Sequence, residues 1–229
     1  MNIEQTIQAA VGVKADGIIG PKTLGALYSK FGASSIKGLQ QAVGVKADGI
    51  MGQQTKEAIC RALGVDMTAV VPTWPTQAEV RTGKSMFGKA TAAEGQLVHI
   101  TPPYQLYFEG TPVKTIRVHK LVAPYVAKVL DEVLAHYGAQ RLHELHLDDF
   151  GGCYNAREVR GGSTLSMHAW GVALDWWASA NPMKATGTKA PLAGREYDFW
   201  WDTWEKYGAV SLGRANGKDW MHVQFPPLH

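Results

Sequence analysis

The segment AVGVKADGI, residues 10–18, occurs again unchanged at residues 42–50. Each copy follows a run with helical periodicity and precedes a second helical run that starts near a threonine, Thr23 or Thr55. Asp-Gly is typical of a tight turn, because glycine adopts positive φ and the aspartate side chain bonds the following backbone. The repeat therefore predicts two helix–turn–helix units, with Thr23 and Thr55 as helix N-caps.

These units resemble a peptidoglycan-binding helical domain whose pattern is LQ, then DGxxG, then TxxA. The second copy carries the pattern as Leu39–Gln40, Asp48–Gly52 and Thr55–Ala58, and the first copy matches more loosely at Asp16–Gly20 and Thr23–Ala26. The resemblance covers residues 2–64 and implies that a helical domain at residues 1–64 binds cell-wall glycan. By themselves, the repeated turns indicate only a compact bundle.

The segment after Gly64 differs in composition from both of its neighbours. It holds two prolines, several threonines and no sustained helical or strand periodicity, so residues 65–82 are predicted to form a linker. A second domain is then expected at residues 83–229.

This second domain mixes helical and strand patterns. Helical spacing of apolar residues occurs at 122–138 and 195–208, and short strand patterns occur at 142–147, 171–177 and 220–225. The aromatic residues of the second helix are expected to belong to the core. Because strands and helices do not alternate regularly, we expect an α+β domain with a small antiparallel sheet, preceded by a small all-α domain.

The bulk composition excludes several classes of protein. A chain of 229 residues, 45% hydrophobic, can bury a core, and no run approaches the roughly 18 apolar residues of a membrane span. The first residues, MNIEQTIQAA, lack the features of a signal peptide, so we expect synthesis in the cytoplasm. The two cysteines, Cys60 and Cys153, are too few for a disulfide framework or a thiolate zinc cluster and are expected to be buried thiols.

The net charge of +3 arises entirely within residues 1–64, which hold seven Lys/Arg against four Asp/Glu. Such an excess suits a polyanionic partner such as a cell-wall polymer or a nucleic acid. So small an excess is also typical of an ordinary solvated surface.

The segment SMHAWGVALD, residues 166–175, contains candidate metal ligands. Asp175 ends an apolar strand pattern, where an unpaired buried carboxylate would cost several kcal/mol and a cation would satisfy it. Gly171 is small, as a backbone close to a metal or substrate requires. Downstream, KDWMHVQF places His222 on a second strand. Two histidines and a carboxylate, His168, Asp175 and His222, are the ligand types of a catalytic zinc site with an open fourth position.

The pattern SxHxxGxAxD followed by DxxH resembles the signature of LAS-type zinc peptidases, the D-Ala-D-Ala carboxypeptidases and L-Ala-D-Glu endopeptidases of peptidoglycan. It stands here as Ser166, His168, Gly171, Ala173 and Asp175, then Asp219 and His222, and the resemblance covers residues 83–227. It implies Zn²⁺ bound by His168, Asp175 and His222, with Asp219 as general base where members often carry glutamate.

The same resemblance implies roles for residues around the ligands. Arg157 is expected to stabilise the oxyanion of the reaction, with Arg160 as the alternative three residues later. Arg160 is expected to contact the substrate, and Ser166 either to bond the substrate backbone or to orient a ligand. Trp170 flanks the motif in sequence and is expected either to contact the substrate in the cleft or to pack in the core.

A wall-binding domain joined to a wall peptidase without a signal peptide resembles a bacteriophage endolysin. The resemblance implies a monomer whose partner is peptidoglycan rather than nucleic acid or a membrane, acting on the wall after release from the host cytoplasm. Its expected activity is cleavage of the L-Ala–D-Glu amide. The alternatives are a D-Ala-D-Ala carboxypeptidase with the same zinc site, and a non-catalytic cell-wall-binding protein whose His and Asp residues are structural.

Overall fold

The computed structural model describes residues 3–65, 72–159 and 161–229. The chain divides into two compact units, with the boundary between Thr73 and Trp74. Across the described ranges, no helix is both long and apolar enough to cross a bilayer.

The described part of the first unit is helical. Its helices are α1 (Ile3–Ala10), α2 (Pro21–Phe31), α3 (Ile36–Ala42) and α4 (Gln53–Ala62). Helix α1 packs against α4, and α2 packs against α3. The core between them consists of aliphatic side chains and one buried thiol, from Ile3, Ile7, Leu27, Leu39, Ile59 and Cys60.

A buried glutamine organises the first Asp-Gly turn. Gln8 Nε2 donates to Asp16 Oδ1 at 2.7 Å, to the Ile18 carbonyl at 2.9 Å and to Thr23 Oγ1 at 3.2 Å. The side-chain oxygen Gln8 Oε1 accepts from the Gly17 N–H at 2.8 Å. Gly17 has a φ of 81°, as the turn requires.

The second turn repeats this network 32 residues later. Gln40 Nε2 donates to Asp48 Oδ1, the Ile50 carbonyl and Thr55 Oγ1 at 2.8, 3.0 and 3.0 Å. Each turn exposes its isoleucine, by 70% at Ile18 and 67% at Ile50. Each repeat also lines a cavity of its own, and among the described residues the two cavities share no lining residue.

The prediction that Thr23 and Thr55 are N-caps is wrong. Gly20 and Gly52 occupy the N-cap positions of α2 and α4, and neither cap makes a side-chain hydrogen bond. The threonines lie inside the first turn of each helix, because the buried glutamine amide needs their hydroxyl groups as acceptors.

The second unit mixes helices with short strands, as the sequence predicts. In chain order it contains α5 (Gln77–Arg81), β1 (Leu97–Ile100), β2 (Leu106–Phe108), β3 (Thr111–Val113), β4 (Ile116–His119), α6 (Ala123–Glu144), β5 (Phe150–Gly152), β6 (Ala173–Trp176), α7 (Asp198–Lys206), β7 (Val210–Ser211), α8 (Leu212–Asn216) and β8 (His222–Gln224). Strands β1 and β4 form one antiparallel pair and β2 and β3 another. The other four form an antiparallel sheet in the order β5-β6-β8-β7.

Aromatic residues dominate the core beside the four-stranded sheet. Helix α7 confirms the helical prediction for residues 195–208, and its Trp200, Trp201 and Trp204 are buried. Trp176 of β6 meets Trp200 edge to face, with ring centroids 5.0 Å apart. The expectation that these aromatics form core is therefore confirmed.

The strand predicted at residues 142–147 is wrong. Helix α6 extends through Glu144, although Gly138 leaves helical geometry with a φ of 72° and a ψ of 156°. The glycine thus interrupts the helix where a stop was predicted, but the chain resumes helical geometry beyond it. The two leucines that suggested a strand face, Leu145 and Leu147, are both buried after the helix end, and a short apolar run of this kind does not distinguish the two structures.

The structure describes only part of the predicted linker at residues 65–82. Residues 66–71 lie outside the described residues. Residues 74–82, by contrast, pack within the second unit, since Trp74 and Val80 are buried in its core and α5 occupies Gln77–Arg81. Thr76 and Glu79 form a reciprocal capping box at the start of α5. The Thr-x-x-Glu pattern was therefore a sequence signal for this helix.

Candidate metal centre

Two strands place Asp175 and His222 side by side. Asp175 of β6 pairs directly with His222 of β8 in the antiparallel register, so both side chains extend from the same face of the sheet. His222 Nδ1 lies 3.0 Å from Asp175 Oδ1. Gly151 of β5 leaves room for this carboxylate, because a methyl group there would lie 2.9 Å from Asp175 Cβ.

A short 3₁₀ helix, Met167–Trp170, carries His168 to the same point. Ser166 caps this helix, with its Oγ accepting the His168 N–H at 3.4 Å. Gly171 ends it with a φ of 66°. The space that Gly171 leaves is filled by Leu97 and the backbone of His119 rather than by the candidate site, which corrects the expectation that its small size serves a metal or substrate.

The three candidate ligand atoms form a compact triangle. His168 Nε2 lies 3.2 Å from His222 Nδ1 and 3.3 Å from Asp175 Oδ1. With the 3.0 Å between His222 Nδ1 and Asp175 Oδ1, the three edges are nearly equal. A tetrahedral zinc site with bonds of about 2.0–2.1 Å separates its ligand atoms by about 3.3–3.4 Å. The triangle therefore fits three corners of such a site, and these residues could hold a metal ion.

The outer nitrogen of each histidine faces an oxygen acceptor. His168 Nδ1 lies 2.5 Å from the Cys153 carbonyl oxygen, and His222 Nε2 lies 3.1 Å from Gln224 Oε1. The Gln224 amide nitrogen donates to the Pro226 carbonyl, which fixes Oε1 toward the histidine. When the outer nitrogens carry the only ring hydrogens, the inner nitrogens present lone pairs toward the triangle, as metal-binding histidines do. A second hydrogen on an inner nitrogen would instead be donated to Asp175.

The electrostatics of this cluster favour a positive charge. Burial raises the pKa of the Asp175 carboxyl, but hydrogen bonds with His168 and His222 outweigh burial and hold that pKa below its ordinary value. Burial lowers the pKa of His222, but Asp175 outweighs it and raises that pKa above the ordinary value. The carboxylate therefore stabilises either a proton on His222 or a cation between the three residues.

Asp219 lies beside the triangle in a strained conformation. Its φ is 61°, in the left-handed region that few non-glycine residues adopt. Its Oδ1 is buried and has no hydrogen-bond partner among the described residues. Burial, with a further contribution from the Asp175 charge, raises the pKa of Asp219 above its ordinary value. An orphaned carboxylate with a raised pKa beside a potential metal site is a candidate general base.

Two cavities meet at the triangle. The α5 cavity, of about 270 Å³, is lined by α5 residues Gln77 and Arg81 and by Asp219 and His222. The hairpin cavity, of about 580 Å³, is lined by the β2–β3 turn and by residues 149–155. Both cavities include Arg157, His168 and Asp175 in their walls. The candidate site therefore has space on two sides.

Two of the other predicted site residues, Arg157 and Ser166, line the cavities at the candidate site. Arg157 lines both cavities, and its described hydrogen bond goes to the Glu158 carbonyl. Ser166 lines the α5 cavity, and its Oγ caps the 3₁₀ helix that carries His168. Arg160, predicted for substrate binding and as the alternative to Arg157, lies outside the described residues.

Of the two roles expected for Trp170, contact with substrate and packing, the structure shows packing. Trp170 is 1% exposed in the core, and its indole N–H donates to the Gly88 carbonyl at 2.9 Å. It lines neither cavity. The indole is large and apolar, so it packs away from the polar triangle beside it in sequence.

Sequence reasoning missed the α5 wall of the site. Gln77 and Arg81 fall in the segment predicted to be a linker, yet both line the α5 cavity. The Gln77 N–H donates to the Pro227 carbonyl at 2.8 Å, which ties α5 to the chain after β8.

Comparison with protein-family models, curated proteins and solved structures found no match to this chain.

Proposed function

We propose that this protein is a zinc-dependent peptidoglycan hydrolase that cleaves the L-Ala–D-Glu amide of the stem peptide. The supporting observation is the triangle of His168, Asp175 and His222 ligand atoms, 3.0–3.3 Å apart, with Asp219 in the wall of the same cavity. The donor set and its spacing suit zinc, and the orphaned carboxylate suits hydrolysis.

Bound zinc would supply a Lewis acid and lower the pKa of a water in its open fourth position towards about 7. Asp219 would accept the proton of the attacking water and pass it to the nitrogen of the leaving amine. Its raised pKa makes it a stronger base than an ordinary aspartate once it is deprotonated. The left-handed backbone at Asp219 fixes the carboxylate at this point, with the Asp219 N–H donating to the Met183 carbonyl at 3.1 Å.

Arg157 is the candidate for stabilising negative charge on the carbonyl oxygen. Arg157 lines both cavities, as His168 does, so its guanidinium would lie near the reacting amide of a substrate that spans them. No carboxylate among the described residues lies within ion-pair distance of Arg157. Its charge is thus available to the substrate.

The first unit is proposed to hold the enzyme on the wall. Its two equivalent turns expose Ile18 and Ile50 beside separate cavities, which is the arrangement expected for repeated contacts with a repeating polymer. In this proposal the protein is a monomeric endolysin of phage type, made in the host cytoplasm and acting on the wall after release.

Mass spectrometry of digested peptidoglycan tests the proposal. Sacculi are incubated with the zinc-loaded protein, with the chelator-treated protein and with the Asp219→Asn variant. New D-Glu amino termini, produced by the zinc-loaded protein alone, are expected. Release of D-Ala alone would identify a carboxypeptidase instead. The absence of any zinc-dependent product would overturn the hydrolase and favour a wall-binding protein with a structural cluster.

A further inference from the structure

The α5 cavity contains an arginine that the proposed chemistry does not use. Arg81 extends from α5 into the wall of this cavity, which also contains the triangle and Asp219. No carboxylate of the described residues pairs with it, whereas Arg117, Arg141 and Arg214 each form ion pairs. An arginine without an acidic partner in the wall of a cavity can form a bidentate, charge-assisted pair with a bound carboxylate.

Two hydrogen bonds hold the Arg81 guanidinium in place. Its Nε donates to the Leu165 carbonyl at 3.0 Å, and its Nη2 donates to Gln77 Oε1 at 3.3 Å. Gln77 stands one turn earlier on the same face of α5. These contacts use two of the five N–H donors of a guanidinium. The Arg81 guanidinium is therefore held in place, and its remaining N–H groups can still bind a carboxylate through another edge of the guanidinium plane.

The position of Asp219 assigns a direction to the substrate. Asp219 lines the α5 cavity but not the hairpin cavity. Because the acid that protonates the leaving amine must lie beside it, the residue that follows the scissile amide belongs in the α5 cavity. The residues before the amide then occupy the larger hairpin cavity. A substrate bound in this way extends on both sides of the metal ligands.

We propose that Arg81 binds a carboxylate on the residue that follows the scissile amide. The proposal rests on the hydrolase function above and specifies its substrate. In a stem peptide cut between L-Ala and D-Glu, that residue is D-Glu, whose α-carboxylate is free because its side-chain carboxyl forms the next amide. The enzyme should then discriminate against stem peptides in which this carboxylate is amidated to D-isoglutamine.

A pair of synthetic peptides provides the test. N-acetylated L-Ala-γ-D-Glu-L-Lys and its D-isoglutamine counterpart differ only in that carboxylate. For the zinc-loaded full chain, kcat/KM should be about tenfold or more higher for the acidic peptide, as a charged hydrogen-bonded pair provides. In Arg81→Met this ratio should fall to within about twofold of one, mostly through KM. Arg81→Lys, which keeps the positive charge but lacks the planar pair of N–H donors, should give an intermediate ratio.

Arg141→Met is the matched control, because Arg141 is a surface arginine paired with Glu144 and lines neither cavity. It should retain the wild-type ratio. A ratio near one for the wild type, or an unchanged ratio in Arg81→Met, would overturn the assignment of Arg81. Cleavage of neither peptide by the zinc-loaded wild type would instead count against the hydrolase function.

A binding measurement separates these two failures. Calorimetry on the zinc-free protein compares the product dipeptides γ-D-Glu-L-Lys and γ-D-isoGln-L-Lys. The acidic dipeptide should bind more tightly to the wild type, and Arg81→Met should lose the difference while its Tm stays within a few degrees. Equal binding of both dipeptides to the wild type overturns the carboxylate site whether or not the chain is a hydrolase. If Arg81→Met does not fold, Arg81→Lys serves in both measurements.

Discussion

Asp175 and His222, 47 positions apart in sequence, lie directly opposite each other on β6 and β8, with Oδ1 and Nδ1 3.0 Å apart. This pairing makes the strand register itself part of the candidate metal site. A shift of one residue would turn one of the two side chains to the other face of the sheet. The backbone hydrogen bonds between β6 and β8 therefore determine whether the side chains of Asp175 and His222 lie next to each other.

Removal of one ligand should abolish metal binding. The variant His168→Ala leaves two of the three candidate ligand atoms, so bound zinc should fall from about one per chain to a small fraction at micromolar protein. Elemental analysis after gel filtration measures this. His143→Ala is the control, since His143 is an exposed histidine paired with Asp148. Full zinc content in folded His168→Ala would exclude the triangle as the metal site.

Removal of the outer acceptor should weaken zinc binding less severely. Gln224 Oε1 fixes the His222 ring through Nε2, and loss of such a contact reduces metal affinity by about 10–100-fold. Competition with a chromophoric chelator should show this loss in Gln224→Ala. The exposed Gln140 provides a matched Gln→Ala control. Equal affinity in both variants would mean that Gln224 does not orient His222.

Asp219 should make the zinc-free protein less stable as pH rises. Its pKa in the folded protein is raised, so the folded state holds the proton more tightly than the unfolded state does. The protonated Asp219 carboxyl therefore stabilises the folded state. This contribution is complete below the pKa of Asp219 in the unfolded chain, near 3.8, and is lost as pH rises through the pKa of Asp219 in the folded protein.

Asp219→Asn should therefore have a higher Tm than the wild type at pH 7, and the difference should shrink toward pH 4. Thermal unfolding of the zinc-free proteins across this range measures it. A lower Tm for the variant at pH 7 would contradict the raised pKa.

The two buried glutamines should contribute about equally to the first unit. Gln8→Ala and Gln40→Ala each leave the turn without its central donor, which should lower the free energy of unfolding by about 1–3 kcal/mol. All eight tryptophans lie at or after residue 74, so fluorescence reports the second unit. Hydrogen exchange with mass spectrometry reports the first unit directly. The exposed Gln41 is the control, and strongly unequal losses would show that the two turns are not equivalent.

The position of a truncation should decide whether the second unit folds. A protein that begins at residue 72 keeps Trp74 and α5 and should hydrolyse small muropeptides while acting poorly on whole sacculi. A protein that begins at Gly83 loses Trp74 and Val80 from the core and Arg81 from the cavity, so it should be less stable. Tm and activity on both substrates measure this. Equal loss on both substrates by the longer protein would contradict a separate wall-binding unit.

The sequence by itself determined the features that depend on neighbouring residues. Identical residues 32 positions apart predicted two equivalent turns, because the Asp-Gly pair sets the backbone locally. Short-range patterns likewise located β6, β8 and α7. His168, Asp175 and His222 were predicted as metal ligands from their residue types and from the resemblance of their spacing to the zinc-peptidase signature.

Only the tertiary structure decided which of these residues meet. The burial of Trp170, the packing of Trp74 and the presence of Arg81 and Asp219 in one cavity wall all depend on contacts between segments far apart in the chain. Such contacts are selected by the burial of apolar surface across a whole core, which no local pattern records. The three candidate ligands were predicted from residue type and motif spacing, but their 3.0–3.3 Å separations depend on the pairing of β6 with β8 and on the 3₁₀ helix that carries His168.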